Sequence, residues 1–314
     1  MLRAHHLATV LLTSIGCGLM DAPANAGQGF GPRAFQLVPD GSNVLSTYVI
    51  RLEGNQGYEP GSVFQRGDVT INLAVAQYTR AFEIGGNQGA IFGVLPYGEV
   101  SGSLDAKILG RIEGHASGFF DAQVGVVYGL IGSPALALPA YAQFEPGFQL
   151  GALANVYVPI GKYDSDKALN TGSNRWAAMF GLPMSYNIGS SLVAPDLGTI
   201  ELLPSVTVFG DNNDPFGPAD TTGQRPLFTA EGHITRNLNK MIWLSLDGMY
   251  TYGGESTSDG RAGGDVQNHF AVGGTINVNF SPSFSMKASY GEIIYNHNDK
   301  AEGRMFRLMG TGVF

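Results

Sequence analysis

The sequence predicts an all-β fold: a transmembrane antiparallel β-barrel of about twelve strands behind a cleaved N-terminal signal peptide. Three observations lead there. Apolar and small or polar residues alternate with a period of two through most of the chain, which is the signature of strands with one apolar and one mixed face. After the N-terminal stretch, no window of about 18 consecutive apolar residues exists to form a spanning helix. Charged residues make up only 14% of the 314 residues, against roughly 25% in an average soluble protein, while 45 Gly, 18 Phe and 13 Tyr are present. The same composition excludes disorder, which needs few aromatics and high charge. A net charge of −8 and a pI near 5.2 argue against a nucleic-acid binder.

The chain begins with an address. Arg3, His5 and His6 precede the mostly apolar stretch Leu7 to Leu19, and Ala24-Asn25-Ala26 is a small-residue cleavage site, so 1–26 reads as a signal peptide. Cys17 lies within it; acylation there would instead make a lipoprotein, though Ser14-Ile15-Gly16 matches the required motif poorly. The mature chain has no cysteine, consistent with export and with no thiol-bound metal. Residues 27–44 show no period and are assigned to an N-terminal periplasmic segment ahead of a barrel at 45–314.

Within the barrel the alternation predicts strands at about 45–53, 68–81, 90–102, 120–130, 146–158, 173–188, 197–210, 226–237, 240–253, 266–280, 283–294 and 304–314. In the fifth, Phe148, Leu150, Ala152, Ala154 and Val156 share one face, and Gln149, Gly151, Leu153, Asn155 and Tyr157 the other. Several strands match the 9–11 tilted residues needed to cross a bilayer. The connections at 236–241 and 281–283 are tight, whereas those at 211–225, 254–265 and 292–303 are long and polar. Outer-membrane barrels alternate short periplasmic turns with long extracellular loops in this way. The long connection at 131–145 breaks the rule, because a short turn is expected there. Trp176 and Tyr186 share a face ten residues apart, as do Phe270 and Phe280. Ten residues tilted about 45° rise roughly 23 Å, near the height of a lipid-facing band edged by aromatic girdles.

Closure follows from the solvent. In hydrocarbon every backbone N–H and C=O needs a partner inside the protein, and only helices and closed barrels supply them. The predicted register puts Arg51, Arg175, Glu201, Glu231, His233, Asp247, Lys287 and Arg307 on the inner face. The terminal Phe314 shares a face with Phe306 and Leu308, the pattern of a signal for the outer-membrane assembly machinery.

Glu231, His233 and Asp247 fall together on adjacent strands, as a proton-handling cluster or as a lumen hydrogen-bond network. No serine is placed to complete a hydrolase with His233 or His269, and no catalytic residue, cofactor or metal is assigned. The loop Asp211 to Asp214 with Asp220 lacks the ordered spacing of a calcium loop. Leu153, Tyr157, Arg175, Met179 and Leu203, with Glu231, His233 and Asp247, are the candidate lumen path. Their partly apolar character in a narrow barrel suggests a constricted passage for small hydrophobic or aromatic molecules; a plugged, stiffened barrel is the plainer alternative.

Several segments resemble the MetA-pathway of phenol degradation family. They are Gly118 to Gly125, Pro159 to Trp176, Phe209 to Asp214, Pro226 to Phe228 and Leu246 to Gly254, in that order. The most specific match carries Tyr163, Asp164, Asp166, Lys167, Asn170, Arg175 and Trp176; Ala122 and Thr171 depart from the pattern, where Pro and Leu are expected. The resemblance implies an outer-membrane barrel of a Gram-negative bacterium linked to aromatic-compound catabolism, and supplies no catalytic residues. The expected function is passive uptake of small hydrophobic or aromatic compounds, with lipid and the assembly machinery as partners. The rivals are a structural or surface-interaction barrel with a sealed lumen and, third, an outer-membrane hydrolase.

Overall fold

The structure, a computed structural model, describes residues 29–57, 64–106, 110–167, 169–217, 219–297 and 302–314. The signal peptide assigned to 1–26, with Cys17, lies outside the described residues. The alternating segments form β1 (Asn43–Gly57), β2 (Phe64–Ile84), β3 (Asn87–Ala106), β4 (Gly110–Phe119), β5 (Ala122–Ile131), β6 (Phe148–Val158), β7 (Ala177–Gly181), β8 (Met184–Ile188) and β9 (Gly198–Phe209). After the short β10 (Thr222–Gln224) come β11 (Leu227–Asn237) and β12 (Ile242–Gly253). The short β13 (Ser256–Ser258) and β14 (Arg261–Ala262) precede β15 (Gln267–Ser281), β16 (Phe284–Asn296) and β17 (Gly303–Val313). One short helix, α1 (Leu138–Gln143), lies between β5 and β6.

Among the described residues, fourteen strands make one antiparallel sheet, and β10, β13 and β14 a small separate one. The large sheet closes on itself: β1 pairs β17 and β9 pairs β11. β4 and β5 both pair β3 and form one stave broken at Phe120 and Asp121. β7 and β8 both bridge β6 and β9 and form another, broken at Leu182 and Pro183. Counting each broken stave once gives a closed barrel of twelve staves, the strand number expected from the alternation.

The barrel is inside out relative to a soluble sandwich. Val49, Phe148, Phe180, Ile200, Ile234, Leu246 and Phe280 stand exposed on the exterior, while Asn155, Glu231, Asp247, Asn277 and Arg307 are buried within. Among the described residues no second sheet covers these exposed apolar side chains and the closed wall leaves no edge strand unpaired, the arrangement that hydrocarbon solvates. The chain therefore has the architecture of an outer-membrane barrel.

The sequence boundaries hold within a few residues for most staves, with three differences. β2 and β3 run 21 and 20 residues, roughly 70 Å along the strand. That is far more than a tilted crossing needs. Gly85 and Gly86, both at positive φ (60° and 85°), make the two-residue turn between them. β4, absent from the sequence reading, lengthens the fourth stave beyond 120–130. Arg51, expected inside, points out: Tyr48, Ile50 and Leu52 take the inner face of β1, and Arg51 pairs with Glu53 at 2.7 Å and donates to Asn72. These polar groups ride the overlong ends of β1 to β3. A charge beyond the apolar band escapes the roughly 2–4 kcal/mol penalty of the bilayer midplane.

Both ends of the barrel wall meet at one rim, where Asn43 and Phe314 exchange backbone hydrogen bonds of 2.8 and 2.9 Å. The connections at 85–86, 132–147, 189–197, 238–241 and 282–283 share this terminal rim. The connection at 131–145 is long because it carries α1 and reaches back to the N-terminal segment, Asp40 N–H donating to the Leu136 carbonyl at 2.8 Å. The opposite, loop rim carries 159–176, 210–226 and 254–266.

Candidate functional site: the lumen

Residues 29–42, assigned from the sequence to a periplasmic segment, enter the barrel from the terminal rim and lie against inward-facing side chains. Glu231 on β11 accepts from the backbone N–H groups of Phe30 (3.1 Å) and Gly31 (2.7 Å). Glu201 on β9 accepts from Arg33 N–H at 2.8 Å, and Arg33 Nε donates to Thr235 Oγ1 at 2.9 Å. From the other side Lys287 Nζ donates to the Pro32 carbonyl (3.0 Å) and Arg307 Nη1 to the Gly29 carbonyl (3.2 Å). The Arg33 guanidinium lies 4.6 Å from the centre of the Trp243 ring, and Lys287 Nζ 5.5 Å from it. Carboxylates thus meet backbone donors and cations meet backbone carbonyls, so these backbone groups of an irregular segment are satisfied without a ladder.

The segment's aromatic residues face the other wall. Phe30 and Phe35 contact each other (ring centres 5.0 Å apart) and pack on a buried cluster of Val75, Phe92, Val94, Leu153 and Leu203. Two of the candidate path residues, Leu153 and Leu203, are therefore the apolar seat of the N-terminal segment.

Glu231, His233 and Asp247 are brought together as the sequence suggests. His233 Nδ1 lies 2.7 Å from Asp247 Oδ1 and Nε2 lies 3.0 Å from Glu231 Oε1. Ser245 Oγ donates to Asp247 Oδ1 (2.5 Å) and Thr275 Oγ1 to Oδ2 (2.8 Å). A serine hydrolase needs the imidazole between serine and carboxylate. Here the carboxylate stands between Ser245 and the imidazole, and both ring nitrogens are occupied. The chain of groups runs instead to the N-terminal segment through Glu231.

At the loop rim, residues 159–176 fold over the barrel mouth. Leu169 is buried against Leu52, Val69, Ile71, Val100, Phe120 and Met305. The two arms of the loop touch at Gly161 and Gly172, where a Cβ on either would lie 2.5 Å from the other's backbone; only glycine fits that approach. Asp121, at the break in the fourth stave, holds both arms: it accepts from Gly161 N–H (3.0 Å) and from Ser173 N–H (2.9 Å) and Oγ (2.5 Å). Asn170 Oδ1 accepts from Asp164 N–H at 2.9 Å, while its Nδ2 donates to the carbonyls of Asp164 (3.0 Å) and Lys167 (2.9 Å). Asp164 pairs with Lys167 at 2.8 Å and accepts from Asp166 N–H at 3.1 Å. The Lys167 ammonium beside it, then the Asp166 N–H, hold the Asp164 carboxyl below its ordinary value. Tyr163 donates to the Asp214 carbonyl at 2.9 Å and accepts from Asn212 at 2.8 Å, tying this loop to 210–226. Among the described residues, no group of three or more His, Cys, Asp or Glu has metal-binding geometry.

Between the two insertions lies a cavity of about 630 Å³, lined among others by Phe30, Tyr157, Arg175, Met179 and Phe209. Arg175 is 4% exposed and lies 4.7 Å from the centre of the Phe209 ring. Its Nη2 donates to Gln224 Oε1.

Residues 53–307 match the family described as "Putative MetA-pathway of phenol degradation", which covers more than half of the chain. The chain belongs to this family. No curated protein sequence matches it. Among solved structures, it resembles an outer membrane channel from Pseudomonas putida F1, with 22% identity, a TM-score of 0.73, and coverage of 90% of this chain and 99% of that one. It also resembles the transport unit of the autotransporter AIDA-I from Escherichia coli, with 10% identity, a TM-score of 0.52, and 98% of each chain covered. Likenesses at these identities show the fold alone, and that fold is the closed β-barrel the alternation predicts.

In this family member the remaining assigned residues lie as follows. Trp176, Tyr186, Phe270 and Phe280 all stand exposed on the exterior, and Phe314 is 70% exposed at the terminal rim. The sequence reading missed Phe30, Arg33, Phe35, Trp243 and Gln224. The first three sit in a segment with no period. Trp243 carries a signal that was available: it falls on the inner register of β12 with Ser245 and Asp247, where a large ring must meet something inside the barrel.

Proposed function

We propose that this barrel is a passive outer-membrane channel for small aromatic compounds and that it carries out no catalysis. The observation that supports the reading best is the cavity of about 630 Å³ inside the wall, bordered by aromatic, thioether and hydrogen-bonding groups together. Ligand pockets of a few hundred Å³ with an apolar lining and a few placed polar groups suit molecules of that size and character. Membership of a family named for phenol degradation points the same way. In this reading Trp176, Tyr186, Phe270 and Phe280 edge the lipid-facing band, Phe314 carries the signal for the assembly machinery, and Tyr157, Met179 and Leu203 border the path, with Leu153 buried behind the N-terminal segment.

The decisive experiment is uptake of labelled phenol by cells with an intact lipopolysaccharide layer, with and without the barrel. Faster uptake with the barrel is expected; equal rates with the barrel folded in the membrane would overturn the proposal. The Leu169 cluster across the mouth favours a second reading, a structural barrel with a sealed lumen. Liposome swelling with small polar solutes separates the two, since a sealed barrel gives none.

A further inference from the structure

Among the described residues, three cations besides Arg175 border the cavity, and each has a compensating group beside it. Arg33 lies beside Glu201, rests on Trp243 and donates Nε to Thr235, although its buried Nη2 has no hydrogen-bond partner. Lys287 and Arg307 are spent on carbonyls of the N-terminal segment, whose N–H groups Glu201 and Glu231 accept from the other side. Arg175 differs. Among the described residues no carboxylate forms an ion pair with it, its Nη2 has the neutral Gln224 amide, and its buried Nη1 has no hydrogen-bond partner. Asp121, a carboxylate that borders the same cavity, is occupied by Gly161 and Ser173.

A buried guanidinium with one unpaired arm is costly unless an acceptor reaches it, and an anionic oxygen is the acceptor that compensates both the hydrogen bond and the charge. The geometry is fixed in advance. Phe209 lies against the guanidinium, Gln224 holds one Nη, and Gln224 is held in turn by Nε2 donating to the Gly254 carbonyl at 3.1 Å. The register places Tyr157, Ala177 and Phe209 side by side across β6, β7 and β9, with Met179 and Thr207 in the next inward row. An aromatic ring has an apolar wall there and an anionic substituent has Arg175.

We infer that the Arg175 end of the cavity is a binding subsite for an aromatic carboxylate. This rests on the channel reading for its biological sense, and narrows it from aromatic compounds in general to those bearing an anionic group. Arg175 acts as a selectivity residue through which the carboxylate is held on its way past the loop rim.

The test is calorimetric titration of the detergent-solubilised full-length mature barrel with benzoate, with benzyl alcohol as its uncharged counterpart, and with acetate. Benzoate is expected to bind at least tenfold more tightly than either. Arg175→Met should bring benzoate down to the level of benzyl alcohol, and Arg175→Lys should restore part of the difference. Benzoate binding no tighter than benzyl alcohol, or unchanged in Arg175→Met, would overturn the subsite. Should Arg175→Met fail to fold, the comparison of ligands on the unaltered barrel decides alone. Phenol uptake without benzoate discrimination removes the subsite and leaves the channel. Benzoate binding through Arg175 without phenol uptake does the reverse.

Discussion

Residues 29–42 enter the barrel from one rim and residues 159–176 fold into it from the other, yet the two insertions are held by different forces. The first is fastened by ionisable side chains of the wall: Glu231 and Glu201 take its N–H groups, and Lys287 and Arg307 take its carbonyls. The second is fastened by one buried leucine, by bonds within the loop from Asn170, and by a single wall carboxylate, Asp121, which takes the N–H groups of Gly161 and Ser173. An insertion held by charges in the wall depends on the state of those charges. An insertion held chiefly by apolar contact and its own loop closure, with one wall carboxylate, depends on them less. The barrel therefore has one insertion tied chiefly to lumen electrostatics and one tied chiefly to packing.

The sharpest way to separate them is Glu231→Gln. The substitution faces the Phe30 and Gly31 N–H groups and the His233 ring with an amide that cannot accept at both positions. Hydrogen bonds to a charged partner contribute roughly 1.5–3 kcal/mol each, so the anchor weakens by about 3 kcal/mol. Single-channel conductance in planar bilayers should rise severalfold as the segment leaves the lumen. Unchanged conductance in a folded barrel would mean that the carboxylate does not fasten the segment.

Leu169→Ala probes the other insertion. Truncating a buried leucine costs roughly 2–5 kcal/mol, and the lower part of that range applies because the mouth is not closed off from water on all sides. The measurement is protease cleavage within 159–176, which should speed up by at least tenfold while cleavage within 29–42 does not change. Equal acceleration in both segments would show that the two insertions are coupled, and the contrast drawn above would fail.

How much of this was legible in the sequence follows the same division. A strand's period of two is written into every stave, so Gln149, Leu153 and Asn155 could be placed inside and Phe148 and Val156 outside from the sequence. The cluster of Glu231, His233 and Asp247 could be found because antiparallel neighbours linked by a tight turn have a calculable register: His233 pairs directly with Asp247. The N-terminal segment could not be found. It has no period, and its fastening depends on partners about 170 to 280 positions away. Arg51 was misplaced because alternation fixes which residues share a face but not which face is wet. Near a strand end, beyond the lipid, polarity no longer distinguishes the two faces. Arg175 was placed correctly on the inner face, but its unpaired Nη1 is a property of three dimensions.

The smallest effect concerns the charge that the loop insertion does carry. Asp164 accepts from Lys167 Nζ and from Asp166 N–H, and its carboxyl is held below the ordinary range for that reason. A group with a depressed folded value stabilises above its unfolded value, and that contribution disappears as pH falls through the folded value. The pair is exposed, so solvent screens it and the loop should stay closed through this titration. Lys167→Met should raise the midpoint of the Asp164 carboxyl, followed by NMR, toward the ordinary aspartate range, and Leu169→Ala should leave it where it is. If Leu169→Ala moved the midpoint as far as Lys167→Met does, the closure around Asn170 and the apolar anchor at Leu169 would be a single device. The loop rim would then share with the terminal rim the sensitivity to charge that sets the two apart here.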